Sequence, residues 1–421
     1  MLQQIRLSNF KGFRQGTIPL GRFTMLLGAN AAGKSNVRDA LRFLHGLSRG
    51  YALAEVLGEK WAEGGILQWK GLRGGTREAA FHGQSAFELG ISIEAPSETG
   101  HEMHKLEYSV EVTVGHVPDA PRVSRESLYM DGTLVFDSHP AEESPKQLDG
   151  DHLVVRLRRG GRNRRLGAAM TFLSSRAVLA QIAEKDGVDH EVILEAVHYC
   201  LSALQRMHFF ELSPDSMRAP SIPGQVSLGL RGENLSSVLM AICEHPKRKA
   251  DLLEMVTQFA ALELSDLAFP EDYSGKVLVH FVEASGLRVS AHSASAGLLR
   301  FLAIVAAILE PDRGRFYFFE ELEHSIHPTR LKLLLDLIEK QCAAGAVQMA
   351  VTSHSAQLLG LASPSSRESA IIVHRRAGVP GAQTIRLIDL PDIHRVIETR
   401  GLGQPHACGW LHDAIEYLST L

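Results

Sequence analysis

Eight consecutive residues constrain this chain more than any other feature. Gly28-Ala29-Asn30-Ala31-Ala32-Gly33-Lys34-Ser35 fits the pattern G-x-x-x-x-G-K-[ST] at every fixed position. An apolar run, Phe23-Thr24-Met25-Leu26-Leu27, enters the loop, and a helical spacing of Val37, Leu41, Phe43 and Leu44 leaves it. The glycines let the backbone wrap closely, so that N–H groups from Gly28 to Ser35 point inward at phosphate oxygens. The following helix adds its positive N-terminal end. Lys34 is placed to reach β- and γ-phosphates, and the Ser35 hydroxyl to ligate Mg²⁺. No G-x-G-x-x-G follows the first strands, so the pattern predicts a nucleoside triphosphate site and not a dinucleotide one.

A phosphate loop needs an acidic group at the end of a neighbouring strand to hold the metal. Arg315-Phe316-Tyr317-Phe318-Phe319 reads as an apolar strand ending in Glu320-Glu321. Glu320 is expected in the metal shell, and Glu321 to orient or deprotonate an attacking water. A second strand, Val347 to Ser353, delivers His354 to the same sheet edge, within reach of a γ-phosphate. Ser293-Ala294-Ser295-Ala296-Gly297-Leu298-Leu299-Arg300 precedes an apolar helix through Leu309. A serine and a glycine at a helix start bind an anion through a hydroxyl and free N–H groups, or simply cap the helix.

The order of these motifs resembles the ABC-type ATPase heads of the RecF/SMC group. It is most similar to stand-alone bacterial AAA family ATPases related to the OLD (overcoming lysogenization defect) proteins. The residues that carry the likeness are Ile5 to Phe13, Gly28 to Asn36, Ser295 to Arg300, Glu320-Glu321-Leu322-Glu323 with His327-Pro328, and Thr352-Ser353-His354-Ser355. The resemblance covers about 1–165 and 270–390. It implies an α/β P-loop NTPase fold, an ABC-type ATPase head with a mixed sheet and a helical insertion. It also implies ATP and Mg²⁺ as ligands, the loop from Gly28 to Asn36 (Asn30, Ala31, Ala32 and Gly33 included) as nucleotide contacts, and head-to-tail dimers sandwiching two ATPs. In such a dimer Ser295 and Gly297 touch the γ-phosphate held by Lys34 of the other copy. Glu321 is then the catalytic base and His354 the switch histidine. Glu320 stands where many relatives carry Asp, and Ala296 replaces the acidic residue of an S-D-G signature. Gln68 and Gln84 both remain candidates for the Q-loop glutamine. The chain ends at Leu421, so a C-terminal Toprim nuclease of the OLD type is not expected, and an effector is expected on a separate chain. A defence-associated ATPase is the leading reading, a RecF-like DNA-repair ATPase the alternative. A transporter subunit is disfavoured because L-S-G-G-Q is missing, and a nucleotide-gated scaffold with slow hydrolysis stays open.

Strand texture at 1–28 and 77–158, helical spacing at 168–262 and alternation beyond predict an interrupted head. An N-terminal lobe spans 1–165, a helical insertion 166–270 and a C-terminal lobe 271–421. The formal charge of −4 excludes a uniformly basic nucleic-acid coat. It conceals Arg156, Arg158, Arg159, Arg162, Arg164 and Arg165 around Gly160-Gly161, a basic hairpin that either contacts nucleic acid or is a solvated turn. Cys200, Cys243, Cys342 and Cys408 are scattered and read as free thiols of a reducing compartment. No signal peptide is read at Met1, and the longest apolar run, Phe301 to Leu309, is too short for a membrane helix, so a cytoplasmic protein is expected. His101-Glu102-Met103-His104 is one residue short of a zinc-protease motif. His324 and His327 read as packing beside the Glu pair.

Overall fold

The computed structural model describes residues 1–97, 102–115, 120–138, 151–158, 166–185, 191–260, 264–310, 316–376 and 378–390. The chain divides into two compact units, each built from separated segments. One comprises Met1–Gly21, Ala29–Met207 and Val373–Ile385; the other comprises Arg22–Gly28, His208–Ile372 and Arg386–Leu421.

The first unit is organised by an eight-stranded sheet, antiparallel throughout. Its order is Leu166–Leu173, His152–Arg158, Thr133–Asp137, Arg122–Met130, Met103–Thr113, Ala86–Pro96, Leu2–Phe10 and Phe13–Pro19. Period-two sequence produces a one-sided sheet: Leu106, Tyr108, Val110 and Val112 are buried, and the residues between them are not. Helix Lys34–Ser48 lies on the buried face, where Phe43 meets Phe87 edge-on at 5.3 Å and Phe87 meets Phe10 at 5.1 Å. Helix Glu191–Gln205 packs beside it, and His45 Nδ1 lies 2.9 Å from the Leu204 carbonyl.

A buried carboxylate ties this sheet to helix Val178–Glu184. Glu126 accepts the Val178 and Leu179 N–H groups at 2.6 and 2.8 Å and the Tyr108 hydroxyl at 3.0 Å. Desolvation nonetheless pushes its pKa up to about 7. An acid that holds its proton more tightly when folded stabilises the fold fully below its unfolded pKa, and the contribution is lost as pH rises through the folded pKa. Between about pH 4.5 and 7 wild type is therefore expected to lose about 3 kcal/mol that a Glu126→Gln variant keeps. Thermal melts of both proteins across pH 5–8 check this; parallel curves refute it.

The second unit is built on a sheet with a parallel core, whose strands Phe23–Leu27, Phe316–Phe319 and Gln348–Ser353 are buried along their whole length, as the sandwiched strands of a parallel sheet are. Phe316–Phe319 pairs Gln348–Ser353, which pairs Phe23–Leu27, which pairs the start of Ile371–Arg375. Segments from both ends of the sequence thus share one sheet. The short strand Met207–Phe210 lies beside Phe316–Phe319, with Phe210 stacked on Phe319 at 4.7 Å. Helix Ala296–Leu309 is buried on nearly all sides, so the nine-residue apolar run is a core helix. A smaller antiparallel sheet, Leu264–Ala268, His280–Glu283 and Arg288–Ser290, belongs to the same unit. The α/β class holds. Residues 166–270 carry helices Val178–Glu184, Glu191–Gln205, Leu235–Cys243 and Pro246–Ala260, but also the strand Met207–Phe210.

Cys200 and Cys342 are buried free thiols, and burial pushes Cys342 up to about 12. Cys408 lies outside the described residues. Among the described residues no helix is long and apolar enough to cross a membrane.

Candidate nucleotide-binding site

The phosphate loop takes the conformation its glycines permit. Gly28 and Gly33 have φ of 153° and 121°, and Ala31, at 62°, takes the left-handed region without being glycine. A Cβ on Gly33 would meet Ala382 at 2.9 Å and the Phe13 ring at 3.5 Å, so space as well as φ demands glycine there. Ala32 N–H donates to the Ala29 carbonyl and Asn36 N–H to that of Gly33. Lys34 Nζ donates to the Ala29 carbonyl at 2.9 Å, which holds the ammonium against the loop's own backbone. Asn30 and Ala31 are exposed, and Gly33, Lys34, Ser35 and Asn36 are half-buried.

One turn into the loop's helix, Asp39 is fully buried and collects three cations. Lys11 Nζ lies 2.7 Å away, and the Arg38 and Arg73 guanidinium groups each 3.2 Å away. Burial acts to raise the Asp39 carboxyl, but Lys11, then Arg38 and Arg73, outweigh it and hold the pKa below its ordinary value. Lys11 belongs to the Asn9-Phe10-Lys11-Gly12-Phe13 segment, so this ion cluster anchors that turn to the phosphate-loop helix. An Asp39→Asn variant, which leaves the cations around a neutral amide, is expected to lose about 3–5 kcal/mol of stability. Chemical denaturation measures this, and a loss below about 1 kcal/mol would mean that the cluster is no anchor.

The second unit gathers the remaining motif residues at the C-terminal edge of its parallel sheet. Leu27 pairs with Ser353 and Val351 with Phe319, so Gly28, Glu320 and His354 leave the same edge. That edge is where open α/β sheets bind ligands. Glu321 sits directly after the strand with φ 49°. Its N–H donates to Thr352 Oγ1 at 3.0 Å, and its carbonyl accepts from Arg300 Nη2 at 2.7 Å. The side chain itself is exposed, free to meet a water. His354 is exposed and is tethered through Glu323: Glu323 Oε1 accepts the His354 N–H at 3.1 Å and the Ser353 hydroxyl at 2.7 Å, and lies 3.5 Å from His354 Nδ1.

Ser295 caps helix Ala296–Leu309, its Oγ accepting the Leu298 N–H at 3.2 Å. Gly297 is required by a close approach, since a Cβ there would stand 2.6 Å from the Ser325 carbonyl oxygen. Ser295, Gly297, Glu320, Glu321 and His354 therefore all belong to the second unit, and the loop from Asn30 to Asn36 to the first.

Other sequence candidates are placed as follows. Gln68 is exposed on the hairpin Glu59–Ala62 and Ile66–Lys70, whereas Gln84 lines an open cleft of about 510 Å³ with Ser8, Asn9 and Arg14. Arg156 pairs in register with Ala169 and Arg158 with Leu166 across the two arms of a hairpin, and Arg156 is also in register with Asp137 of the strand on its other side. Arg159, Arg162, Arg164 and Arg165 lie outside the described residues, as does His101. His104 Nδ1 is 2.7 Å from Asp131. His327 caps helix Pro328–Ala343, and His324 contacts Ser325. Glu323, Thr352 and Arg300 lie inside the sequence motifs and Asp39 just beyond one, yet nothing local in the sequence marks the part each plays, because each acts on groups far away in the chain.

This arrangement has the α/β fold of an SMC head domain. A solved structure described as the SmcHead bound to the C-winged helix domain of ScpA aligns with 92% of this chain and 98% of its own. Its TM-score is 0.52 and its identity 15%. A Smc head with an extended coiled coil from Pyrococcus furiosus, bound to the C-terminal domain of ScpA, aligns over 94% and 98% at TM-score 0.47 and 15% identity. No curated protein sequence matches significantly. Residues 23–98 and 185–360 match the family described as "AAA domain, putative AbiEii toxin, Type IV TA system". The chain belongs to that AAA-domain family.

Proposed function

We propose that this protein is a Mg²⁺-dependent ATPase that hydrolyses ATP to ADP and phosphate. The observation that carries the reading is the sheet edge where Glu320, Glu321 and His354 stand together, on the unit whose strand Phe23–Leu27 leads into the phosphate loop. The loop N–H groups and Lys34 hold the triphosphate. The Ser35 hydroxyl and the Glu320 carboxylate are hard oxygen donors of the kind Mg²⁺ takes alongside phosphate oxygens, and the ion would neutralise charge developing on those oxygens. Glu321 orients a water and accepts its proton as the water oxygen bonds to the γ-phosphorus. The bond from that phosphorus to the bridging oxygen breaks, and ADP leaves. His354, held by Glu323, donates to the γ-phosphate. Positioning and charge account for the catalysis, since phosphoryl transfer asks for little covalent chemistry from the protein.

Ser295 and Gly297 present a helix N-terminus that serves the γ-phosphate of a second copy, so the working form is a head-to-tail dimer with ATP between the heads. We assign the biological role to bacterial anti-phage defence, with this protein governing a separate effector in the cytoplasm. Support comes from the family's description, which names a Type IV TA system, and from the likeness to OLD-related ATPases. Phosphate release by the purified protein, with and without EDTA, tests the ATPase. Turnover and binding measured with added double-stranded DNA test the arginine hairpin. Contact through Arg156 and Arg158 is expected to weaken steeply between about 50 and 200 mM salt, and binding indifferent to salt excludes it.

A further inference from the structure

Arg300 makes a set of contacts that the hydrolytic reading leaves unused. It lies on helix Ala296–Leu309, close after Ser295 and Gly297, and is only 3% exposed. Among the described residues its hydrogen bonds all go to carbonyl oxygens. Nη1 donates to Leu212 at 2.7 Å, and Nη2 to Glu321 at 2.7 Å and to Glu320 at 3.4 Å. Burying a cation without a carboxylate in direct contact is costly, and an apolar residue would fill a helix core position at less expense. The planar fork instead does what no apolar residue can, joining three chain segments in fixed directions.

The place it grips is the backbone of the carboxylate pair. Glu321 adopts a left-handed φ of 49°, which a non-glycine residue holds only when its surroundings impose it. Thr352 Oγ1 takes its N–H and Arg300 its carbonyl, so both peptide groups flanking the Glu321 Cα are restrained. The first turn of the same helix is seated on the next stretch of that loop, where Gly297 abuts the Ser325 carbonyl. A displacement of the helix start therefore passes to the Glu321 backbone through two separate contacts.

We propose that Arg300 is a positioning residue for hydrolysis, coupling the helix that carries Ser295 and Gly297 to the backbone of Glu320 and Glu321. A nucleotide of a second copy engaged at that helix would then set the catalytic carboxylate of this one. The inference rests on the ATPase-dimer reading.

The test compares full-length wild type, Arg300→Met and Arg300→Lys, measuring the Kd for Mg-ATP, KM, kcat by phosphate release, and thermal melting. In Arg300→Met, kcat is expected to fall about 10²-fold, the scale of a small misplacement at a reacting centre, with Kd within about threefold of wild type. Arg300→Lys, which keeps the charge but not the fork, is expected to fall between the two. A merely structural role would lower melting temperature and ATP affinity together and leave kcat per folded molecule unchanged. If Arg300→Met does not fold, Arg300→Lys decides: a kcat at least about tenfold down with Kd unchanged supports positioning, and a wild-type kcat overturns it. Failure of both variants to fold also overturns it, by making Arg300 a structural residue. Wild type without turnover overturns the ATPase reading as well, whereas active wild type with an equally active Arg300→Met overturns only the role of Arg300.

Discussion

Glu321→Gln is expected to bind Mg-ATP like wild type and to turn it over about 10²–10⁴ times more slowly, the range lost with a general base. The substitution is nearly isosteric, and the contacts that shape this turn are made by the Glu321 backbone, to Thr352 Oγ1 and Arg300. They survive the change, so the loss reports the carboxylate alone. Because the nucleotide then persists, the head-to-tail dimer is expected to accumulate in ATP. Single-turnover phosphate release gives the rate, equilibrium binding the affinity, and light scattering the mass. Turnover within about threefold of wild type would remove Glu321 from the reaction and direct attention to Glu323, the neighbouring carboxylate tethering His354.

Lys34→Ala is expected to abolish useful nucleotide binding. An ammonium facing β- and γ-phosphates is a desolvated charge contact, and deleting one partner of such a contact costs about 2–5 kcal/mol, or roughly 30- to 5,000-fold in Kd. The fold is expected to survive, because the substitution keeps every glycine of the loop and Lys34 Nζ donates to the Ala29 carbonyl within that same loop. ATP at about 100 times its Kd stabilises a protein by about 2.7 kcal/mol. Wild type should therefore melt higher with Mg-ATP, and Lys34→Ala should melt at one temperature with or without it. An undiminished ATP-dependent shift in the variant would place the nucleotide elsewhere.

The difference between these two residues illustrates what could be read in advance. Lys34 sits in a motif whose chemistry is local: strand, loop and helix are contiguous, and the glycines state the backbone conformation by themselves. Glu321 and His354 were legible as strand ends, but their settings were not. Glu323 holds His354 from 31 residues away, and Thr352 holds Glu321 at the same separation. No spacing rule announces either. The strand Met207–Phe210 was likewise masked, being four residues between helical stretches, and it is identified by its place beside Phe316–Phe319. Glu126 carries no motif at all. Its raised pKa follows from burial beneath the antiparallel sheet, which only packing can produce.

The sequence by itself determined the phosphate loop, the buried parallel strands and the amphipathic antiparallel ones, because each depends on residues within a few positions of one another. Tertiary structure alone decided that Phe23–Leu27 inserts between Gln348–Ser353 and Ile371–Arg375, and in what register. That pairing closes loops of more than 300 residues, and Gln348–Ser353 is buried at every position, so no in/out alternation in it distinguishes one register from the next. The register, in turn, aligns Gly28, Glu320 and His354 at one edge. Whether the carboxylate there is aimed correctly rests on a guanidinium from another helix meeting a carbonyl, a long-range contact that sequence spacing does not encode.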